Sequence, residues 1–196
     1  MFFLNVNGGR KMDTKKRPII IDTDPGIDDA VALAIALNHP NLEVRLITTV
    51  AGNVDVEKTT NNALKLVDFF GKKVPVAKGC NCPLLIQLED SAEIHGETGM
   101  DGFEFPQPIS TCLDIHAVEA MRKEILSSDV PLTIVPIAAL TNIALLLTLY
   151  PEVKENIAEI VMMGGSLARG NTNTSAEFNT YVDPHAAQIV FQSDRK

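Results

Sequence analysis

Cysteine, positive charge and long apolar runs are all scarce in this 196-residue chain, and each shortage closes off a class of protein. The three cysteines, Cys80, Cys82 and Cys112, are too few for a disulfide framework. Cys80-Asn81-Cys82 lacks the spacing and the second ligand pair of a zinc knuckle, so all three read as reduced thiols. Seventeen Lys and Arg against 25 Asp and Glu leave a formal net charge of -8, which argues against a nucleic-acid partner, because such surfaces gather cations on one face. The densest basic run, Lys15-Lys16-Arg17, reads as a solvated tail. No apolar stretch approaches the ~20 residues that cross a bilayer, and "MFFLNV" is too short for a secretory signal, so a soluble, cytoplasmic protein without a membrane partner is expected.

With 45% hydrophobic residues the chain can bury a substantial core, and no repeat, low-complexity tract or composition break divides it. Residues 1–17 read as a disordered or extra N-terminal extension, and 18–196 as one domain. Short β-branched runs at "RPIIID", "EVRLITTV", "LTIVPI" and "EIVMMGG" predict buried strands. "DDAVALAIALNH", "VEKTTNNALKLVDFF", "DIHAVEAMRKEILSS" and "TNIALLLTLYP" carry helical spacing. Strands alternating with helices imply parallel βαβ units, an α/β fold. The stretch "GCNCPLLIQLEDSAEIHGETGMDGFEFPQPIS" follows neither period and is either a mobile cover over a site or an ordinary surface excursion.

What the chain has in excess is carboxylate in one place. "PIIIDTDPGIDDA" sets Asp22, Asp24, Asp28 and Asp29 directly behind a hydrophobic strand. In a parallel α/β sheet ligands gather beyond the carboxyl ends of the strands, which is where this cluster falls. Asp28 and Asp29 can be explained as acids complementing a helix N-terminus, worth ~0.3–1 kcal/mol each. Asp22 and Asp24 can be read as turn formers beside Pro25-Gly26, but that explains the first pair less well. Crowded carboxylates raise one another's pKa values unless a cation neutralises them, and an all-oxygen set without Cys or nearby His suits Ca²⁺ or Mg²⁺ rather than Zn²⁺.

Two enzyme classes use such a strand end. "DTD" resembles the nucleophile and acid pair of haloacid-dehalogenase-type phosphatases, with Asp22 attacking phosphorus and Asp24 protonating the leaving group. Pro25 stands where those enzymes place Gly-Thr or Gly-Val, and no later acidic pair supplies their second metal motif. The longer stretch "DTDPGIDDA" closely resembles the N-terminal signature of the inosine-uridine preferring nucleoside hydrolases. The likeness continues through "TTVAGNV", "HGETGMDG", "PIAALTNIA", "VMMGG" and "GNTNTSAEFNTYVDPHAA", in the family's order and from Pro18 nearly to the end.

That resemblance implies a Rossmann-like open, mainly parallel sheet flanked by helices, and Ca²⁺-dependent hydrolysis of ribonucleosides to free base and ribose. By similarity Asp24 touches the Ca²⁺ and acts as general base on water, Asp29 chelates the metal with both oxygens, and Asp28 holds a ribose hydroxyl. A further metal ligand is implied at the Ile137 carbonyl, where side-chain identity matters little. Asn53 would orient water and sugar, Asn171, Glu177 and Asn179 would grip the ribose, and His95 would lie toward the base or the 5' side. Amides and carboxylates suit a polyhydroxylated sugar because they donate and accept to vicinal hydroxyls. The segment around Glu177 also reads as a polar loop capping a helix that starts at Asp183-Pro184. His39, His116 and His185 match nothing catalytic.

Family members run beyond the position of Lys196, into a portion carrying a His-Asp motif whose Asp completes the Ca²⁺ site and whose His faces the leaving base. A C-terminally truncated member is therefore expected, inactive or weakly active by itself, with exposed apolar surface that favours homo-oligomers or self-association. Nucleoside hydrolase, dehalogenase-type phosphatase and non-catalytic ribose- or Ca²⁺-binding remnant all stay open.

Overall fold

The computed structural model describes residues 16–193. Five strands, β1 (Arg17–Thr23), β2 (Leu42–Thr49), β3 (Val76–Lys78), β4 (Leu132–Pro136) and β5 (Ile157–Ile160), form one sheet in the order β3-β2-β1-β4-β5. Every pairing is parallel. Between and after them lie α1 (Ile27–Asn38), α2 (Val56–Phe69), the single-turn α3 (Ala92–His95), α4 (Ala117–Ser127), α5 (Thr141–Leu149), α6 (Phe178–Val182) and α7 (Pro184–Phe191).

The three isoleucines of β1 show why the sheet is hydrophobic on both sides. Ile19 and Ile21 point into a core built with Leu33 of α1 and Ala63, Leu66 and Val67 of α2. Ile20 points the other way, into a core with Met121 and Ile125 of α4, Ile143 and Leu146 of α5 and Val190 of α7. Alternate residues of one strand thus serve two layers, so a β-branched run rather than an alternating pattern marks a doubly covered strand.

Local chemistry fixes the helix starts. Asp55 accepts a bond from the Lys58 N–H at 3.0 Å to open α2, and Asp183 accepts from the Ala186 N–H at 3.0 Å, with Pro184 in the first turn of α7. His116 caps α4 through Nδ1, which accepts from the Val118 N–H at 3.3 Å, and His39 is exposed, its Nδ1 accepting from the Asn41 N–H.

All four helices expected from spacing are present, as are the strands expected at β1, β2 and β4. The strand expected at "EIVMMGG" lies earlier, over Ile157–Ile160. Beyond it the Val161 and Met163 N–H groups still donate to the Ile134 and Pro136 carbonyls, both at 2.9 Å, so the chain follows β4 toward the site without regular strand geometry. β3 has three residues, too short for a period-2 pattern to register. Of the expected extension, residues 1–15 lie outside the described residues, and Arg17 is already the first residue of β1.

Candidate active site

β1 pairs with β2 on one side and β4 on the other, so the chain reverses direction across the sheet at the β1–β4 junction. The crevice beyond the carboxyl ends of those strands is where an open α/β sheet leaves room for a ligand. Asp24 follows β1, Asp28 and Asp29 occupy the first turn of α1, Asn53 follows β2, and Ile137 follows β4.

Asn53 ties this group together. Its backbone N–H donates to Asp24 Oδ2 at 2.8 Å, and its side-chain Nδ2 donates to the Asp24 carbonyl at 3.0 Å and to Asp29 Oδ2 at 3.3 Å. Asp29 also accepts from the Thr23 hydroxyl at 2.7 Å and, completing a capping bond for α1, from the Gly26 N–H at 3.1 Å. Two glycines permit this closeness. A Cβ on Gly52 would collide with the Asp24 carboxylate, and one on Gly26 would lie 2.7 Å from both Asn53 Nδ2 and His95 Nδ1.

Burial sets the electrostatics. Asp24 is 1% exposed and its carboxyl is held well above the usual range, first by desolvation and then by the nearby charge of Asp29. Burial pushes Asp29 up to about 6 and Asp22 up to about 7. Asp24 Oδ1 and Asp22 Oδ2 are buried without a hydrogen-bond partner. A buried carboxylate oxygen with no donor is costly unless protonated or beside a cation, and Asp24, Asp29 and the Ile137 carbonyl, all at this end of the sheet, are oxygen donors of the kind a hard divalent ion takes. Among the described residues no three His, Cys, Asp or Glu side chains form a metal cage, so a cation here would take only part of its coordination from Asp24 and Asp29.

A cleft of about 460 Å³ opens over this floor. Of the nine residues expected to form the site, all but Asp24 line it; Asp24 is buried and hydrogen-bonded to Asn53. His95 reaches the cleft from α3, and its Nδ1 accepts from the Ile27 N–H at 3.3 Å, which leaves the proton of the neutral ring on Nε2. Asn179 donates from Nδ2 to the Ile137 and Met163 carbonyls at 3.2 and 3.1 Å. Glu177 is 7% exposed and works partly as a cap: Oε1 accepts from the Asn179 N–H, and Oε2 from the Gly165 and Thr180 N–H groups. Asn171 Oδ1 accepts from the Phe178 N–H at 2.8 Å, holding the loop before α6.

Sequence reading missed Ser91, whose hydroxyl donates to Asn53 Oδ1 at 2.9 Å, and the contact across the cleft mouth in which Tyr181 donates to Glu89 at 3.0 Å. Both pairs join the irregular middle segment to distant elements, and no local period signals such a contact.

The sequence pattern of the inosine-uridine preferring nucleoside hydrolases matches residues 19–196. The chain belongs to this family. The non-specific ribonucleoside hydrolase RihC of Klebsiella pneumoniae is 53% identical over 176 residues, 90% of this chain and 58% of that protein, and its counterpart from Salmonella typhi is 53% identical over 175 residues, 89% of this chain and 57% of that protein. A purine-preferring ribonucleoside hydrolase from Gardnerella vaginalis superposes with a TM-score of 0.86 at 37% identity, covering 90% of this chain and 58% of that one. A plant nucleoside hydrolase, PpNRh1, gives 0.84 at 34% identity over 92% of this chain and 58% of that one. The chain therefore spans somewhat over half the length of these relatives.

The phosphatase alternative is not favoured by family membership. Asp22 is wholly buried, with Oδ1 accepting from the Thr48 hydroxyl at 2.5 Å and from Asn142 Nδ2 at 2.8 Å.

Proposed function

We propose that the cleft holds the ribose of a ribonucleoside and that the protein hydrolyses the N-glycosidic bond to free base and ribose, with Ca²⁺, in cytoplasmic nucleoside salvage. The observation that carries this reading is the Asp24–Asn53–Asp29 group beneath a cleft lined by the eight other expected residues. The name of the 53%-identical relatives, non-specific ribonucleoside hydrolase, supports broad tolerance of the base. Three free cysteines accord with a reducing compartment.

Breaking an N-ribosidic bond builds positive charge on the sugar, which the anionic floor of Asp24 and Asp29 stabilises. Asp24, with Oδ1 free of any donor, takes the proton from the attacking water. Its raised pKa makes the ionised form a stronger base. Asp28, Asn171, Glu177 and Asn179 bind the ribose hydroxyls, and His95 presents Nε2–H toward the base or the 5' side. Asp24, Asp29 and the Ile137 carbonyl would hold Ca²⁺, which when bound would polarise water and screen the clustered carboxylates from one another.

The test is a panel of purine and pyrimidine nucleosides scored for ribose and free base, beside phosphate esters. It is run with Ca²⁺ or chelator on this chain and on the chain extended by the C-terminal portion of a family-length relative. Release of ribose by the extended protein, dependent on Ca²⁺, is the expected result. Splitting of phosphate esters alone would overturn it.

A further inference from the structure

Ser91 is the first residue before α3, where a serine ordinarily turns its hydroxyl to cap its own helix. Here it makes no such bond. Its hydroxyl instead donates to Asn53 Oδ1 at 2.9 Å and its backbone N–H donates to the Asn53 carbonyl at 3.1 Å, in a side chain only 5% exposed. The Ser91 carbonyl meanwhile accepts from the N–H groups of Ile94 and His95, so the same residue organises the turn that carries His95.

We infer that Ser91 is a positioning residue for the reaction, a role that rests on the nucleoside-hydrolase reading of the cleft. An asparagine amide presents an acceptor and a donor that can exchange places by a half-turn. The Asp24 carbonyl and Asp29 Oδ2 only accept, so they turn Nδ2 toward themselves and leave Oδ1 to the Ser91 hydroxyl. The reversed amide would set its oxygen against that carbonyl and carboxylate. Ser91 thus holds the remaining side of the residue that ties Asp24 to Asp29, and pins the loop bearing His95 to the same point, where a Cβ on Gly26 would lie 2.7 Å from both Asn53 Nδ2 and His95 Nδ1.

The experiment uses the ¹⁵N-labelled chain and follows the side-chain NH₂ pair of Asn53. In the native protein that pair is expected to exchange slowly with solvent. Ser91→Ala releases Oδ1 and lets the amide turn away from its acceptors, so exchange should quicken about tenfold. Ser91→Thr, which keeps the hydroxyl, stays near the native rate. In the nucleoside assay on the extended protein, Ser91→Ala lowers kcat severalfold with KM nearly unchanged. An Asn53 NH₂ pair indifferent to Ser91→Ala, a threonine variant behaving like alanine, or a native kcat with a freed amide would each overturn the inference. An extended protein that splits no nucleoside, while Ser91→Ala still frees the amide, overturns the proposed activity and upholds Ser91 as the residue that positions Asn53.

Discussion

Asn53 and Asp24 are joined twice, backbone N–H to carboxylate at 2.8 Å and side-chain amide to carbonyl at 3.0 Å, although 29 residues separate them. The loop after β2 is thereby locked onto the end of β1, and the Asp24 carboxylate is held with Oδ2 satisfied and Oδ1 free. A side chain held with one oxygen engaged and the other unengaged is suited to accept a proton or to face a cation.

Removing Asn53 should loosen that lock. Asn53→Ala deletes the amide bonds to the Asp24 carbonyl and to Asp29 and leaves the Ser91 hydroxyl without its acceptor. A loss of roughly 1–3 kcal/mol in unfolding free energy is expected, together with weaker ribose binding. Urea titration and calorimetry check both, and an unchanged ribose affinity would count against Asn53 in the site.

Asp22 supplies a pH signature separate from the cleft. Its carboxyl sits at about 7 in the fold against 3.8 for an unperturbed group, because burial disfavours the charge. The folded state therefore holds a proton that the unfolded state has already released, so this group's contribution to stability falls as pH rises from about 4 to about 7 and is level above. Asp22→Asn keeps an oxygen for Thr48 and Asn142 and cannot ionise. Denaturant midpoints measured in chelator should fall across that window by less in the variant, the difference being on the order of a few kcal/mol. Parallel curves would show that Asp22 is not the buried titrating group.

The thiols should divide by burial. Cys82 is exposed, whereas burial pushes the Cys80 thiol up to about 12. At pH 8 only about one Cys80 in 10⁴ is thiolate, the reactive form, so alkylation should mark Cys82 far sooner. Peptide mass spectrometry reads the order, and ribose binding should survive because neither thiol lines the cleft.

Association should follow from the outer face of α1. Ile27, Val31 and Ile35 recur every fourth residue at 49%, 59% and 61% exposure, beside an apolar groove lined by Ala32, Ala36, Val135 and Val161. Exposed apolar stripes of this kind favour burial against another surface. Light scattering on the chain should show dimers or larger species, and Val31→Glu with Ile35→Glu should return it to monomer. A native chain that is already monomeric would remove the expectation.

How much of this was legible beforehand depends on the range of the interaction. The Ile19–Ile21 run and the helical spacing of α1, α2, α4 and α5 are local patterns, and the structure has a strand and helices there. "DTDPGIDDA" falls at the strand end beside the cleft because a parallel sheet leaves its crevice there. The burial of Asp24 is not legible in the sequence, since its carboxylate is held by Asn53, 29 residues away. Glu177 reads in the sequence as a sugar ligand, and the structure makes it the cap of α6, a five-residue helix too short to show a period. Ser91 was missed because its partner is 38 residues away.

The sharpest prediction separates two carboxylates that touch the same asparagine. Asp24 is bonded through Oδ2 alone, whereas both oxygens of Asp29 are engaged, by Thr23, Gly26 and Asn53. Asp24→Asn preserves the side-chain shape and removes the proton acceptor, so in the extended protein kcat should fall by roughly 10²- to 10⁴-fold while ribose binding is largely kept. Asp29→Ala removes the proposed metal anchor and three hydrogen bonds at once, so Ca²⁺ and ribose affinity should be lost together. Calorimetry with each ligand and single-turnover kinetics distinguish the two failures. Native turnover in Asp24→Asn would remove it as the base. Loss of ribose binding in both variants alike would mean that the pair acts only as one structural unit, and the division of labour between them would have to be abandoned.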